Sequence, residues 1–340
     1  MGNMNYRQLL ESFRNRKVLV LGDVMIDAYL WGRVERISPE APVPVVALHR
    51  RESRLGGAAN VALNLLALDA QPILCAVIGN DRQGEVFREL MEESGLTADG
   101  ILQSRERITT TKFRVIGNNT QMLRVDEEHT HDLSAGEEAL FIAGIERILR
   151  EHRIEVILFQ DYNKGVLTPS LISRLIDAAA NSNIPVCVDP KKKNFDLYRS
   201  VTLFKPNLKE LKEGLKLDFD HRDSVQLESA VSVLQDRQQP DMVLLTLSEE
   251  GVFLRYRETA GSHASFIIPA HKRAIADVSG AGDTVISVAA LCLASGSTPE
   301  QLAVLSNLAG GLVCEAVGVV PIDKSRLLNE AGLLDEKQAL

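Results

Sequence analysis

Val18-Leu19-Val20-Leu21-Gly22-Asp23 is four apolar residues that stop on a glycine and a carboxylate. The pattern recurs at Ile73–Ile78 before Gly79-Asn80, at Val156–Phe159 before Gln160-Asp161, at Val186–Val188 before Asp189-Pro190, and at Val243–Leu245 before Thr246. Between several of these runs lie stretches with helical spacing, namely Ala58–Leu68, Gly84–Glu93, Ala139–Arg150 and Ser170–Ala179. Short runs without polar alternation fit strands buried on both faces, and helices between them imply a mostly parallel α/β sheet covered by helices. Ligands bind such sheets beyond the carboxyl ends of the strands. The polar residues that close each run, with Pro206-Asn207, are therefore where chemistry is expected.

Two stretches depart from this rhythm. Residues 29–48 hold three prolines and the extended run Pro42-Val43-Pro44-Val45-Val46, and residues 109–126 alternate around Gly117-Asn118-Asn119, a good hairpin turn. They predict a small β-structure from about 29–50 and 109–126, attached to one domain spanning residues 1–340. It reads as a lid or a dimer interface, since exposed strand edges need a partner, with a plain structural flap as the alternative.

The 340 residues are 45% hydrophobic and 25% charged, with a formal net charge of −8. Nucleic-acid and acidic-membrane binders are normally basic, so the expectation is small-molecule partners with no nucleic acid and no membrane. Cys75, Cys187, Cys292 and Cys314 form no C-x-x-C pair and sit in apolar surroundings, as buried thiols of a cytoplasmic protein do. The first residues are polar and lack a signal-peptide apolar region.

Ala276-Asp277-Val278-Ser279-Gly280-Ala281-Gly282-Asp283-Thr284 precedes an apolar helical run, Val285–Ala294. Glycines at a helix start let backbone N–H groups converge where the dipole is positive, which suits a phosphoryl group in transfer. Asp283 in the same turn can take a proton from an attacking hydroxyl. A capped helix with a tight turn explains the segment equally well. Gly56-Gly57-Ala58-Ala59-Asn60 is another small-residue helix entry, open to substrate or to close packing. Asp27 is either a binder of sugar hydroxyls or a cap. Asn207 and Glu210 can hold Mg²⁺ through waters, or form an N-cap with its capping-box glutamate. Lys112, Lys164, Lys191 and Arg124 are candidates for a substrate phosphate, or solvated surface cations. Glu128-His129-Thr130-His131-Asp132 lacks an i, i+4 pair and lies in a polar loop, which weighs against a metal. No P-loop, Rossmann glycine run, G-x-S-x-G elbow or H-E-x-x-H motif is present.

Taken in chain order, Gly22-Asp23-x-x-x-Asp27, Gly56-Gly57-x-x-Asn60, Asn207-x-x-Glu210 and Asp277-x-x-Gly280-Ala281-Gly282-Asp283 resemble the ribokinase-like (PfkB) sugar kinases. The run Arg36–Val46, with Thr111-Lys112-Phe113-Arg114, Asp161-Tyr162-Asn163-Lys164-Gly165 and Asp189-Pro190-Lys191, is similar to the D-glycero-D-manno-heptose 7-phosphate kinases within it. The resemblance implies a three-layer fold and transfer from ATP, with Mg²⁺ and K⁺ as candidate ions, to O1 of the heptose 7-phosphate. It implies Asp283 as base and Gly280, Ala281 and Gly282 as anion hole. Lys205, Asn207, Glu210, Thr246, Ser248 and Gly251 fall on the nucleotide side. Asp27, Gly56, Gly57, Asn60, Lys112, Arg124, Asp161, Lys164, Asp189 and Lys191 fall on the sugar side. Ser279 stands where the family often has Thr, and Lys192 where Gly is common. A stand-alone kinase is expected, because the H-x-G-H motif of a fused nucleotidyltransferase is missing, and a homodimer through the β-flap. The rivals are a kinase of ribose, fructose 1-phosphate or a nucleoside, or a non-catalytic binding protein.

Overall fold

The computed structural model describes residues 4–258 and 261–338. The strands are β1 (Lys17–Gly22), β2 (Val24–Ile37), β3 (Pro44–Gly57), β4 (Gln71–Gly79), β5 (Gly100–Ser104), β6 (Thr111–Gly117), β7 (Thr120–Glu127), β8 (Val156–Gln160), β9 (Val186–Asp189), β10 (Leu203–Phe204), β11 (Met242–Thr246), β12 (Val252–Arg257) and β13 (His263–Ile268). The helices are α1 (Tyr6–Glu11), α2 (Ala58–Ala67), α3 (Arg82–Glu93), α4 (Ala135–Glu151), α5 (Pro169–Asn181), α6 (Leu208–Leu215), α7 (Ser224–Gln238), α8 (Ala281–Ala294), α9 (Pro299–Val313) and α10 (Lys324–Gln338).

Nine strands form the main sheet in the order β13-β12-β11-β10-β9-β8-β1-β4-β5. Pairing is parallel from β11 to β5, and antiparallel where β12 and β13 add an edge hairpin. Each apolar run read from sequence lies in one of these strands, and each helical stretch lies in or nearly matches a helix. The middle strand shows why the runs lack polar alternation. Val18 and Val20 point into one core, with α1, α2, α3, α8, α9 and α10. Leu19 and Leu21 point into the other, with α4, α5, α6 and α7. Both faces are covered, so both phases of the period-2 pattern are apolar. Helix, sheet and helix make the three layers.

The small sheet has the order β3-β2-β6-β7. Strands β2–β3 and β6–β7 pair antiparallel, and β2–β6 pair parallel. Asn118 and Asn119 form the expected hairpin turn with φ of 51° and 63°. The sheet is longer than expected: β2 starts at Val24 and β3 runs to Gly57. Val24, Ile26, Ala28 and Leu55 are buried in the core beside α2 and α3. One face of the small sheet carries Asp27, Tyr29, Arg54, Lys112 and Arg114, set by the pairing register. The opposite face presents apolar Leu123 and Val125, 57% and 44% exposed. Among the described residues no helix is long and apolar enough to cross a membrane. All four cysteines are buried and unpaired, and burial pushes the Cys75 thiol up to about 12.

Candidate active site

The strand order turns at β1, which has β4 on one side and β8 on the other. Such a switch point opens a crevice at the carboxyl ends of β1 and β8. There Gly22 faces the backbone of Gln160 so closely that a Cβ would collide with its carbonyl. Next to it, Asp23 is buried and accepts backbone N–H groups from Tyr162 at 2.9 Å, Lys164 at 3.0 Å and Val166 at 3.1 Å. This carboxylate ties the loop after β8 to the end of β1.

Asp283 stands in the first turn of α8, behind the N-cap Gly280, whose φ of 81° is left-handed and suits glycine. The N–H groups of a first helical turn have no intrahelical acceptor; apart from the Ala281 N–H, which reaches the Val278 carbonyl at 3.3 Å, those around Gly280–Asp283 remain available to an anion. Asp283 is 5% exposed. Its Oδ2 accepts Asn60 Nδ2 at 2.7 Å, and its Oδ1 accepts Tyr162 Oη at 2.8 Å and Gln160 Nε2 at 3.0 Å. Burial raises its pKa to about 6, against the pull of the Asn60 and Tyr162 hydrogen bonds. At neutral pH it is ionised yet close to the working pH, as a general base requires.

The small sheet meets the crevice through Asp27. Its buried carboxylate accepts Arg114 Nη1 at 2.5 Å, and the Arg114 guanidinium lies over the Tyr29 ring at 5.3 Å. Gly56 leaves room for that carboxylate, because a Cβ there would collide with Asp27 Oδ2. Gly57, with φ 63°, bends the chain from β3 into α2, and its place against the Asp23 carbonyl admits no side chain. Lys112 Nζ lies 2.9 Å from Asp126 and 3.4 Å from Glu128, and Lys164 Nζ lies 2.6 Å from Glu128. Arg124, mostly exposed, pairs with Asp126 at 2.9 Å.

On the other side a polar chain leads away from Asp283. Gln160 Nε2 also reaches Asp189 Oδ2 at 3.3 Å, and the buried Lys205 Nζ reaches the same oxygen at 3.1 Å. Lys191 bridges Asp189 to Glu210, and its pKa is raised because these two carboxylates outweigh burial. Burial would raise the Asp189 carboxyl, but Lys191 and Lys205 hold it below the usual range. Asn207 and Glu210 form a reciprocal capping box at the start of α6, at 2.8 and 2.9 Å. Asn207 also forms a β-bridge with Thr246 at the end of β11. Ser248 and Gly251, with φ of 54° and 101°, shape the turn into β12. Asp189 Oδ1 is buried without a hydrogen-bond partner and Glu210 stands opposite it across Lys191. Two acidic groups at this mouth fit a Mg²⁺ that arrives on nucleotide phosphates and keeps its own waters.

The structure places several of the expected residues in particular settings. Asp161 was expected on the sugar. Its carboxylate is wholly buried and turned away, accepting Asn163 N at 2.8 Å, Asn194 Nδ2 at 2.9 Å and Tyr198 Oη at 2.8 Å. Burial, with Asp23 nearby, raises it to about 6. These bonds tie the loop after β8 to Asn194 and Tyr198. Asp189 and Lys191 belong to the Glu210 side rather than beside Asp27, because β9 lies beyond β8 from β1. Asn60 meets Asp283 directly. Lys192 starts a one-turn helix and its φ is not positive, so this turn does not need glycine. Gln160, Tyr162 and Arg114 received no role from sequence. Their signals were position, Gln160 closing β8, Tyr162 just beyond it and Arg114 alternating with Lys112 on β6, and, for Tyr162 and Arg114, a place in the heptose-kinase motifs.

The profile of the family described as pfkB family carbohydrate kinase matches residues 15–325. The chain is 39% identical over 330 residues to the bifunctional protein HldE of Citrifermentans bemidjiense, covering 96% of this chain and 66% of that protein. It is 40% identical over 320 residues to the bifunctional protein HldE of Caulobacter vibrioides, covering 94% and 64%. The chain thus spans somewhat less than two thirds of the length of these relatives. Among solved structures, phosphofructokinase-2 from Escherichia coli in complex with potassium superposes with TM-score 0.76 at 17% identity, over 94% of this chain and 99% of that one. Ribokinase of Arabidopsis thaliana complexed with ribose and ATP gives 0.69 at 17% identity, over 93% and 99%. At such identity these likenesses speak for the fold alone.

Proposed function

Because the chain belongs to the pfkB family of carbohydrate kinases, we propose that it transfers the γ-phosphoryl group of ATP to O1 of D-glycero-D-manno-heptose 7-phosphate, giving the 1,7-bisphosphate and ADP. The observation that carries the phosphotransfer reading is Asp283, buried at a helix start and held by Asn60, Gln160 and Tyr162. The choice of sugar rests on the heptose-kinase motifs in the sequence, and on cations gathered beside Asp27.

The sugar lies between the small sheet and the crevice, with hydroxyls on Asp27 and its O1 directed at Asp283. Asp283 takes the O1 proton as O1 bonds to the γ-phosphorus, and the bond from that phosphorus to the β-bridging oxygen breaks, releasing ADP. The N–H groups of Gly280–Asp283 hold the charge on the phosphoryl oxygens during transfer. Lys205, Asn207, Glu210, Thr246, Ser248 and Gly251 lie on the ATP side. Asn207 and Glu210 would hold Mg²⁺ through water, and the ion would supply neutralisation of phosphate charge. K⁺ is a further proposed activator, tested by exchanging it for Na⁺. The chain works as one domain, and residues 24–57 and 111–127 cover the sugar and exclude water. The apolar Leu123 and Val125 face meets a second copy in a homodimer. The unpaired thiols suit the cytoplasm.

The deciding experiment is ADP release across a panel of sugars and sugar phosphates. Heptose 7-phosphate is expected to give the highest kcat/KM. Faster turnover of ribose, a nucleoside or a hexose phosphate would overturn the assignment of substrate.

A further inference from the structure

Glu128 lies just beyond β7, and its carboxylate sits between two lysines. Its Oε1 is 2.6 Å from Lys164 Nζ and its Oε2 is 3.4 Å from Lys112 Nζ. Both lysine side chains are only 15% exposed, against 22% for Glu128. Among the described residues no other group bonds either Glu128 oxygen. Burial alone would raise this carboxyl, but Lys164 and Lys112 outweigh it and hold it below the usual range.

The two lysines are anchored independently of Glu128. The Lys164 N–H bonds Asp23, and its carbonyl is gripped by the buried Arg107 guanidinium, which also takes the carbonyls of His129 and His131. Lys112 sits in β6, directly across from Asp27 on β2 and Asp126 on β7. Rotation of the Glu128 side chain would therefore leave both lysine backbones in place; the Lys112 ammonium keeps Asp126 at 2.9 Å, and the Lys164 ammonium is released to an incoming anion. Lys112, Lys164 and Arg124 carry three positive charges against two on Asp126 and Glu128. A phosphate dianion in place of the Glu128 monoanion doubles the charge facing the lysine pair. The place suits the distal end of a sugar: Lys112 adjoins Asp27, and Lys164 is two residues from Tyr162, which touches Asp283.

We infer that Glu128 is an internal surrogate for the substrate's phosphate, seated between Lys112 and Lys164 until a phosphosugar displaces it. This rests on the reading of a phosphorylated sugar as substrate. The device sets specificity, because an uncharged sugar end cannot outcompete the carboxylate, and it lowers apparent affinity by the cost of that displacement.

The test is calorimetric binding of inorganic phosphate to the full chain with ADP present, alongside KM for the phosphosugar. Glu128→Gln and Glu128→Ala are expected to bind phosphate at least about threefold tighter, with KM lowered in step and kcat within about twofold. Adding Lys164→Met is expected to abolish the gain. Unchanged or weaker phosphate binding in both Glu128 variants, or a gain that survives Lys164→Met, overturns the inference. Inorganic phosphate carries no sugar, so the tighter binding stands or falls separately from turnover of heptose 7-phosphate. A tightened Glu128→Gln enzyme that ignores the heptose would sink only the choice of sugar.

Discussion

Asn60 donates to Asp283 at 2.7 Å across 223 residues of sequence, joining the first turns of α2 and α8. Each helix start is a glycine-rich entry, Gly56-Gly57 for one and Gly280-Ala281-Gly282 for the other. The contact puts a neutral donor on a buried carboxylate and helps keep it ionised, while burial pulls the other way.

Asp283→Asn follows from that balance. Loss of the base is expected to cut kcat by about 10²–10⁴-fold. Stability should move the opposite way. The folded-state pKa of about 6 lies above the ordinary 3.8, so stability falls as pH rises from 3.8 to about 6 and the full penalty persists above that. The penalty is on the order of 3 kcal/mol. Removing the charge is expected to raise the melting temperature at pH 7.5, and the gain should vanish below pH 3.8, where the native carboxyl is protonated in both states. A lower melting temperature at pH 7.5, or near-normal turnover, would count against these roles.

Tyr162→Phe removes a donor that favours the charged form. The Asp283 pKa should rise, by about one unit. The acidic limb of the kcat profile, expected near 6 in the native enzyme, should shift upward by that amount, with activity recovered near pH 8.5. An unshifted limb would place Tyr162 outside the control of the base.

Arg114→Ala strands the buried Asp27 carboxylate without its 2.5 Å partner. The expected cost is about 2–3 kcal/mol in urea denaturation, below the figure for a fully buried pair because the Arg114 side chain keeps 20% exposure. KM for the sugar should rise more than KM for ATP. Equal changes in both, or unaltered stability, would contradict the assignment of Asp27 to the sugar side.

Gly57→Ala places a Cβ at φ 63°, about 2.5 Å from the Asp23 carbonyl. A loss of about 2–3 kcal/mol is expected, with reduced kcat, because α2 carries Asn60 to Asp283. Thermal denaturation and steady-state kinetics check both, and an unaffected kcat would show that the entry to α2 does not position the base.

The main sheet was legible because its strands are covered on both faces. Val18 to Leu21 supplies residues to two cores, and no such run fits a half-exposed strand. The small sheet was only partly legible. Val24 to Ala28 packs into the main core on leaving β1, so its residues carry main-sheet chemistry and the hairpin appeared to begin later than Val24.

Chain order and residue type were enough to single out the glycine-rich entries, Asp283 and the Asn207–Glu210 pair as candidates, because helix starts follow from local rules, and Asp27 by its place after Gly22-Asp23. Tertiary structure alone decided which way each side chain turns. Asp161 and Tyr162 are adjacent, yet Asp161 is sealed against Asn194 and Tyr198 while Tyr162 reaches Asp283. It also separated the cations, taking Lys191 to Asp189 and Glu210 and bringing Lys112 and Lys164 together on Glu128. A charged side chain is placed by the partners that offset its desolvation. Those partners come from distant strands and loops, so local sequence carries no record of them.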